Sequence, residues 1–170
     1  MKDSLRTIFA MVALLAWALW FGALAAMFVI GTAMFARDRA LAVQANPAML
    51  ILFERYQLIL GAIALASLVA WRMAGGSVLV IALFVMLAIA AAGAIAAPLA
   101  ITSKMEKLRL AGQSHSAEFR MLHGQSMMVY SAEGGALLAA GLLLPAAIIR
   151  SAAGRQPKEE EPRSHGGTEA

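Results

Sequence analysis

Residues 7–36 read TIFAMVALLAWALWFGALAAMFVIGTAMFA, thirty consecutive residues without a charge, held between Arg6 and Arg37. A bilayer core of about 30 Å is crossed by about 20 helical residues at about 1.5 Å each, so this run exceeds one span and implies tilt or extension into the headgroups. It follows Lys2 and Arg6 and contains Ala23-Leu24-Ala25, the form of a leader cleavage site. The apolar character continues ten residues further, to Phe35, which favours a retained transmembrane helix over a cleaved signal.

Three more such runs follow. The second, 56–71, is short and closes with Trp71-Arg72, but Asn46 as N-cap and Pro47 at the first helical position predict a helix over 47–72 that carries Glu54 and Arg55 near the interface. In the third, 77–103, Pro98 is expected to kink the helix or end its membrane-buried part. Lys104, Glu106, Lys107 and Arg109 then form a polar extension closed by Gly112, giving 77–110. The fourth, 125–149, is interrupted only by Glu133, and Ser116 as N-cap predicts a helix over 117–150. Residues 72–76 are too few for anything but a hairpin, and the other connections are longer. From Arg150 onward Arg155, Pro157, Lys158, Glu159-Glu160-Glu161, Pro162 and Gly166-Gly167 bury too little apolar surface to order themselves. The fold expected is therefore all-α: an integral membrane four-helix bundle with short loops over 1–150, followed by a disordered polar tail over 151–170.

The composition agrees, since 61% hydrophobic and 14% charged residues lie far from the soluble average. The absence of cysteine excludes disulfides, zinc ribbons, iron–sulfur ligation and cysteine nucleophiles. A net charge of +4 is spread between the apolar runs and gathers on no single stripe, which fits basic flanks of membrane helices and argues against a nucleic-acid partner. Lys and Arg divide seven against seven between the two faces, so the charge rule leaves orientation open. A mixed-charge tail that needs no translocation, with Lys2 and Arg6 ahead of the first helix, favours both termini in the cytoplasm, and the bacterial inner membrane is the compartment expected.

Helices in lipid associate through small residues and a few polar contacts. Ala88, Ala92 and Ala96, with Gly93 and Ala97 beside them, and Gly134, Gly135, Ala139 and Gly141 are the packing faces expected, serving the bundle itself or a homo-oligomer or larger membrane complex. Trp17, Trp20 and Phe21 lie away from the headgroup level and are expected to pack, or to stack on a flat lipophilic ligand.

The predicted topology brings Arg37, the Glu54-Arg55-Tyr56 segment and the start of the fourth helix to one membrane face. His123, Ser126, Tyr130 and Glu133 follow spacings of three, four and three and read as one helical stripe facing protein. A membrane carboxylate needs a partner, and Arg55 or Arg37 is the expected counterion, with snorkelling or neutrality of Glu133 as the alternative.

Leu52-Phe53-Glu54-Arg55-Tyr56 and Phe119-Arg120-Met121-Leu122-His123-Gly124-Gln125-Ser126, together with Gly22, Phe35 and Pro98, resemble the transmembrane protein 205-like family over about residues 8–145. These are bacterial four-helix domains of unknown function with eukaryotic relatives. The chain departs from that pattern at Thr32, where a proline is usual, and at Met127, where an asparagine is usual. The resemblance implies four spans and membrane residence. Its eukaryotic members are associated with tolerance of platinum drugs, and it supplies no agreed activity to carry onto residues here.

No phosphate-cradling glycine loop, HExxH, Gly-x-Ser-x-Gly or metal-spaced carboxylate pair is present, so the leading expectation is a non-catalytic bundle acting as an accessory or assembly partner with no cofactor. The alternative is transport or binding of a small solute or soft metal ion through the polar cluster between helices two and four. Met121, His123, Met127 and Met128 are the candidates for a soft metal, although methionine in apolar chains is commonly filler. Ser126 beside His123 lacks a third group or an oxyanion donor, which argues against an enzyme.

Overall fold

In hydrocarbon the backbone can satisfy its amide and carbonyl groups only within the segment, so each apolar run is driven into helix. The computed structural model describes residues 2–153. Its elements are α1 (Lys2–Arg37), α2 (Arg39–Met73), α3 (Leu79–Ala96), a π-helical segment (Ala97–Thr102), α4 (Ser103–Leu110) and α5 (Ala117–Ala153). The π segment joins α3 and α4 into one rod, so the described residues form four rods, each long and apolar enough to cross a membrane. With 36 residues, α1 is about 54 Å long, well beyond a hydrocarbon core.

Several local signals act as expected. Ser116 caps α5, its Oγ accepting from Phe119 N at 3.1 Å. Gly112 ends α4 at φ +72, and the α2–α3 hairpin turns at Gly75 with φ +91. Pro98 breaks the α-helical ladder without ending the rod. Ser103 N donates to Pro98 O, five residues back, and this wider π turn absorbs the proline.

The second helix begins earlier than the expected 47. Asp38 accepts from Leu41 N at 3.0 Å and is the single non-helical residue between α1 and α2, so this connection is the shortest in the chain where a longer loop was expected. Asn46 is not a cap; it lies inside α2 facing Gly31, and packing against α1 carries the helix through Pro47. The last helix runs three residues past 150. Ser151, expected in the tail, is buried and its Oγ accepts from Ser77 N at 3.1 Å. The rest of the expected disordered tail, from residue 154, lies outside the described residues.

Paired contacts run in opposite order along neighbouring rods: Gly31–Asn46 and Trp20–Gly61 for α1 and α2, Ser77–Ser151 and Gly93–Glu133 for α3 and α5, Leu24–Gly134 and Trp17–Gly141 for α1 and α5. The hairpin at Gly75 with the Glu54–Thr102 bond does the same for α2 and α3, so neighbouring rods are antiparallel. The rods form a ring in the order α1, α2, α3, α5, with α5 closing on α1. The packed core occupies 10–24, 53–71, 80–97 and 130–147, which is 15 to 19 residues per rod or about 22–28 Å, matching the thickness of a hydrocarbon core. Towards Asp38 the four-helix core ends, and Ala42 is the one buried residue between 25 and 52.

Small residues allow the close approaches, though not all of those expected. On α3 the inward face is Val80, Leu83, Leu87, Ala90 and Ala94, continued by Ala97 in the π segment, while Ala92 and Ala96 are exposed. Gly141 leaves room for the indole of Trp17, which is fixed by stacking on Phe21 at 5.8 Å and by donation to Leu137 O at 2.7 Å. A methyl at Gly141 would overlap that ring, whereas one at Gly135 would meet nothing within 4 Å. Gly141→Ala is therefore expected to destabilise the bundle by about 1–3 kcal/mol despite a helix-propensity gain of about 1 kcal/mol, and Gly135→Ala to leave it unchanged or firmer. Thermal unfolding in a fixed detergent checks the pair.

Candidate functional site

Leu122, Ser126, Tyr130, Glu133, Leu137, Ala140, Leu144 and Ala147 form the buried stripe of α5. Three levels of polar contact hang from it. At the outermost, Tyr130 O–H donates to Glu54 Oε1 on α2 at 2.8 Å, and Thr102 Oγ1 donates to the same oxygen at 2.5 Å. Phe53 packs edge-on against the Tyr130 ring. One turn deeper, Glu133 Oε1 accepts from Trp20 Nε1 on α1 at 2.9 Å. A further turn in, Leu137 O accepts from Trp17 Nε1.

Helix geometry builds this ladder. Trp17 and Trp20 are three apart on α1 and Glu133 and Leu137 four apart on α5, so each pair shares a face, and the antiparallel contact aligns them rung by rung. Gly61 makes room for Trp20, since a Cβ there would lie 3.1 Å from its Cη2. Gly93 brings α3 against Glu133, where a Cβ would lie 3.8 Å from Glu133 Cβ. The π turn delivers Thr102, which follows the proline, to Glu54.

The expected cluster is only partly assembled. Glu54, Ser126, Tyr130 and Glu133 are buried together in the interior, but Arg37, Arg55, Tyr56 and His123 are exposed. Neither arginine pairs with Glu133, which is 1% exposed and bonded to Trp20, so it does not snorkel either. Once Glu54 faces inward, Arg55 is turned about 100° away and lies on the outer surface. Leu122, not His123, continues the buried stripe, because at about 100° per residue Leu122 shares the direction of Ala140 within the stripe that runs on to Ala147, whereas His123 falls outside its edge. Trp17 and Trp20 pack within the bundle, and both indoles also donate hydrogen bonds.

Three members of the site were missed as such: Trp20, Thr102 and Gln57. Gln57 is fully buried, and its Oε1 and Nε2, like Glu133 Oε2, have no hydrogen-bond partner among the described residues. A tryptophan far from the headgroup level was the available signal for Trp20, because a buried indole N–H needs an acceptor.

Among the described residues the two interior carboxyl groups thus meet only neutral donors: hydroxyls at Glu54 and an indole at Glu133. The ion pairs Arg6–Asp3 at 3.0 Å and Arg109–Glu106 at 2.6 Å lie at the outer ends of α1 and α4. The soft-metal candidates do not converge. Met121, His123, Met127 and Met128 are all exposed, and at about 100° per residue Met121 and Met128 face away from His123 and Met127. Among the described residues no group of three His, Asp or Glu side chains is placed to hold a metal ion.

Fold and interior together define a multi-pass α-helical membrane bundle with a polar column at one end of its core. No protein-family model, curated protein or solved structure matches the chain.

A double-mutant cycle on Trp20→Phe and Glu133→Leu is expected to show coupling of about 1 kcal/mol or more, because either single change strands a buried polar group. The cycle on Arg55→Ala and Glu133→Leu is expected to be additive. Unfolding free energies in mixed micelles measure both.

Proposed function

We propose that the chain binds a small cationic solute within its bundle and passes it through the membrane, using Glu133 and Glu54 as successive acceptors. One observation carries this reading: two buried carboxyl groups, one turn apart in depth, have no cationic side chain bonded to them among the described residues. Ionisable groups inside a membrane bundle are expensive and mark ion or substrate paths. An accessory bundle is held by close-packed small residues and a few neutral polar contacts, and does not require that two of those contacts be made by buried carboxyl groups.

The position of Glu54 supports a direction of access. It sits where the four-helix core ends and the α1–α2 pair continues beyond it, so a solute arriving from the Asp38 face meets Glu54 before Glu133. We read the bundle as non-catalytic, since Ser126 is buried while His123 is exposed on another face. The resemblance to the transmembrane protein 205-like family remains part of the proposal, and it adds membrane residence without an activity. A bacterial inner-membrane location with both termini cytoplasmic is likewise proposed, on the charge argument alone.

Purified protein reconstituted into liposomes, with an inside-negative potential imposed, tests the reading with radiolabelled methylammonium. Uptake is expected to exceed that of protein-free vesicles, to fall to the protein-free rate in Glu133→Gln, and to be unchanged in Arg55→Ala. Undiminished uptake in Glu133→Gln would overturn it.

A further inference from the structure

At the hairpin end of the bundle the inward stripes of the rods finish at one level. On α1 the last inward residue is Arg6, one turn ahead of Ala10 and in line with the buried Ala13, Trp20 and Leu24. Trp17 faces Gly141, so eleven residues back along α1 and eleven forward along the antiparallel α5 bring Arg6 level with residue 152, beside the buried Ser151. Ser151 Oγ accepts from Ser77 N. The glycine before Ser77 has no Cβ to meet the indole of Trp71, the last buried residue of α2. Arg6, Ser151, Ser77 and Trp71 therefore close this end of the core.

This level holds donors that lack acceptors. Arg6 Nε and Nη2 and Trp71 Nε1 are buried and have no hydrogen-bond partner among the described residues. The Arg6 side chain is only 11% exposed, so it does not snorkel into water, and its ion pair is with Asp3, which is 74% exposed and one turn further out. Arg72 and Arg150 lie on the outer surface at the same end. Over 2–9, 69–80 and 145–153, the described residues of this end, Asp3 is the one acidic residue. The packed core stops at Ala10, Trp71, Val80 and Ala147, so the three arginines sit where hydrocarbon gives way to lipid headgroups.

We infer that this end of the bundle is a phosphate site, in which Arg6 and the Trp71 indole hold the phosphate of an anionic lipid and Arg72 and Arg150 add charge at the rim. The inference does not depend on the carboxyl groups at the other end. A guanidinium presents paired N–H donors that match two oxygens of a phosphate, and a neutral indole N–H adds a third. The long arginine stem lets the guanidinium turn to the rim to meet the oxyanion. Basic pockets between transmembrane helices hold lipid headgroups by the same chemistry. A cation would leave all three donors unmet. Free phosphate offers the same oxygens, and the headgroup depth of the site favours the lipid.

The test uses the full chain in dodecyl maltoside micelles and phosphate-free buffer, with phosphatidylglycerol, phosphatidylcholine or inorganic phosphate added and unfolding followed by tryptophan emission. A ligand held by the folded state raises Tm with its concentration. Phosphatidylglycerol is expected to raise the Tm of the wild type more than phosphatidylcholine, whose choline offsets its phosphate. An equal, Arg6-dependent rise with inorganic phosphate would keep the site and make the free ion its ligand, whereas no rise with the ion assigns it to lipid. The phosphatidylglycerol increment is expected to vanish in Arg6→Gln, to shrink in Trp71→Phe and to persist in Arg55→Gln, which alters an exposed arginine near the opposite end. Trp71→Phe removes the N–H and keeps an aromatic ring, so the site stays testable if Arg6→Gln does not fold. Equal shifts with the two lipids, or an increment that survives Arg6→Gln and Trp71→Phe, would overturn it. So would an increment that appears only when Glu159, Glu160 and Glu161 are all changed to Gln, since the chain's own acidic run would then be the occupant.

Discussion

A carboxyl group surrounded by hydrocarbon must find its hydrogen bonds within the protein, and Glu133 finds one in the indole of Trp20 across the α1–α5 contact. That bond ties the first rod to the last and closes the ring of four. It also fixes the depth at which the two helices meet, because Trp17 then reaches Leu137 O one turn further in. An apolar bundle of near-uniform leucine and alanine could slide along its axes with little change in packing. A directional bond at one level specifies a single register, as a buried polar residue does in a coiled coil.

The glycines follow from this constraint. Gly61, Gly93 and Gly141 each lie where a large or polar side chain from a neighbouring rod crosses the helix: Trp20, Glu133 and Trp17 respectively. They are cut to fit two tryptophans and a glutamate, and the wide turn at Pro98 plays a related part by carrying Thr102 to Glu54. The result is an interior in which hydroxyl and indole donors surround two carboxyl groups. Those two carboxyl groups are the ones to which the proposed binding of a cationic solute is assigned.

Much of the fold was legible from the chain. Uncharged runs of sufficient length, Ser116 and Gly112 at helix ends, and the few residues between Trp71 and Ser77 are local signals that hydrocarbon leaves no freedom to override. The start of α2 was not legible, because Asn46-Pro47 is a stronger local start signal than Asp38 until α1 packs alongside. At the site, Glu54, Tyr130 and Glu133 could be placed inside from spacing. Their partners could not, since Trp20, Thr102 and Gln57 depend on which face each rod turns inward, and a helix apolar all round does not announce its inner face. Expecting an arginine for Glu133 followed from charge, but a residue adjacent to an inward glutamate points outward, and Arg55 does so.

The indole N–H resonances of the three tryptophans test the central contact directly. In a ¹⁵N–¹H correlation spectrum of the protein in nanodiscs, the Trp20 indole, assigned by Trp20→Phe, is expected downfield and slow to exchange. It should move to a less hydrogen-bonded position in Glu133→Leu while the Trp71 resonance stays where it is. A Trp20 resonance unchanged in a folded Glu133→Leu bundle would contradict the account.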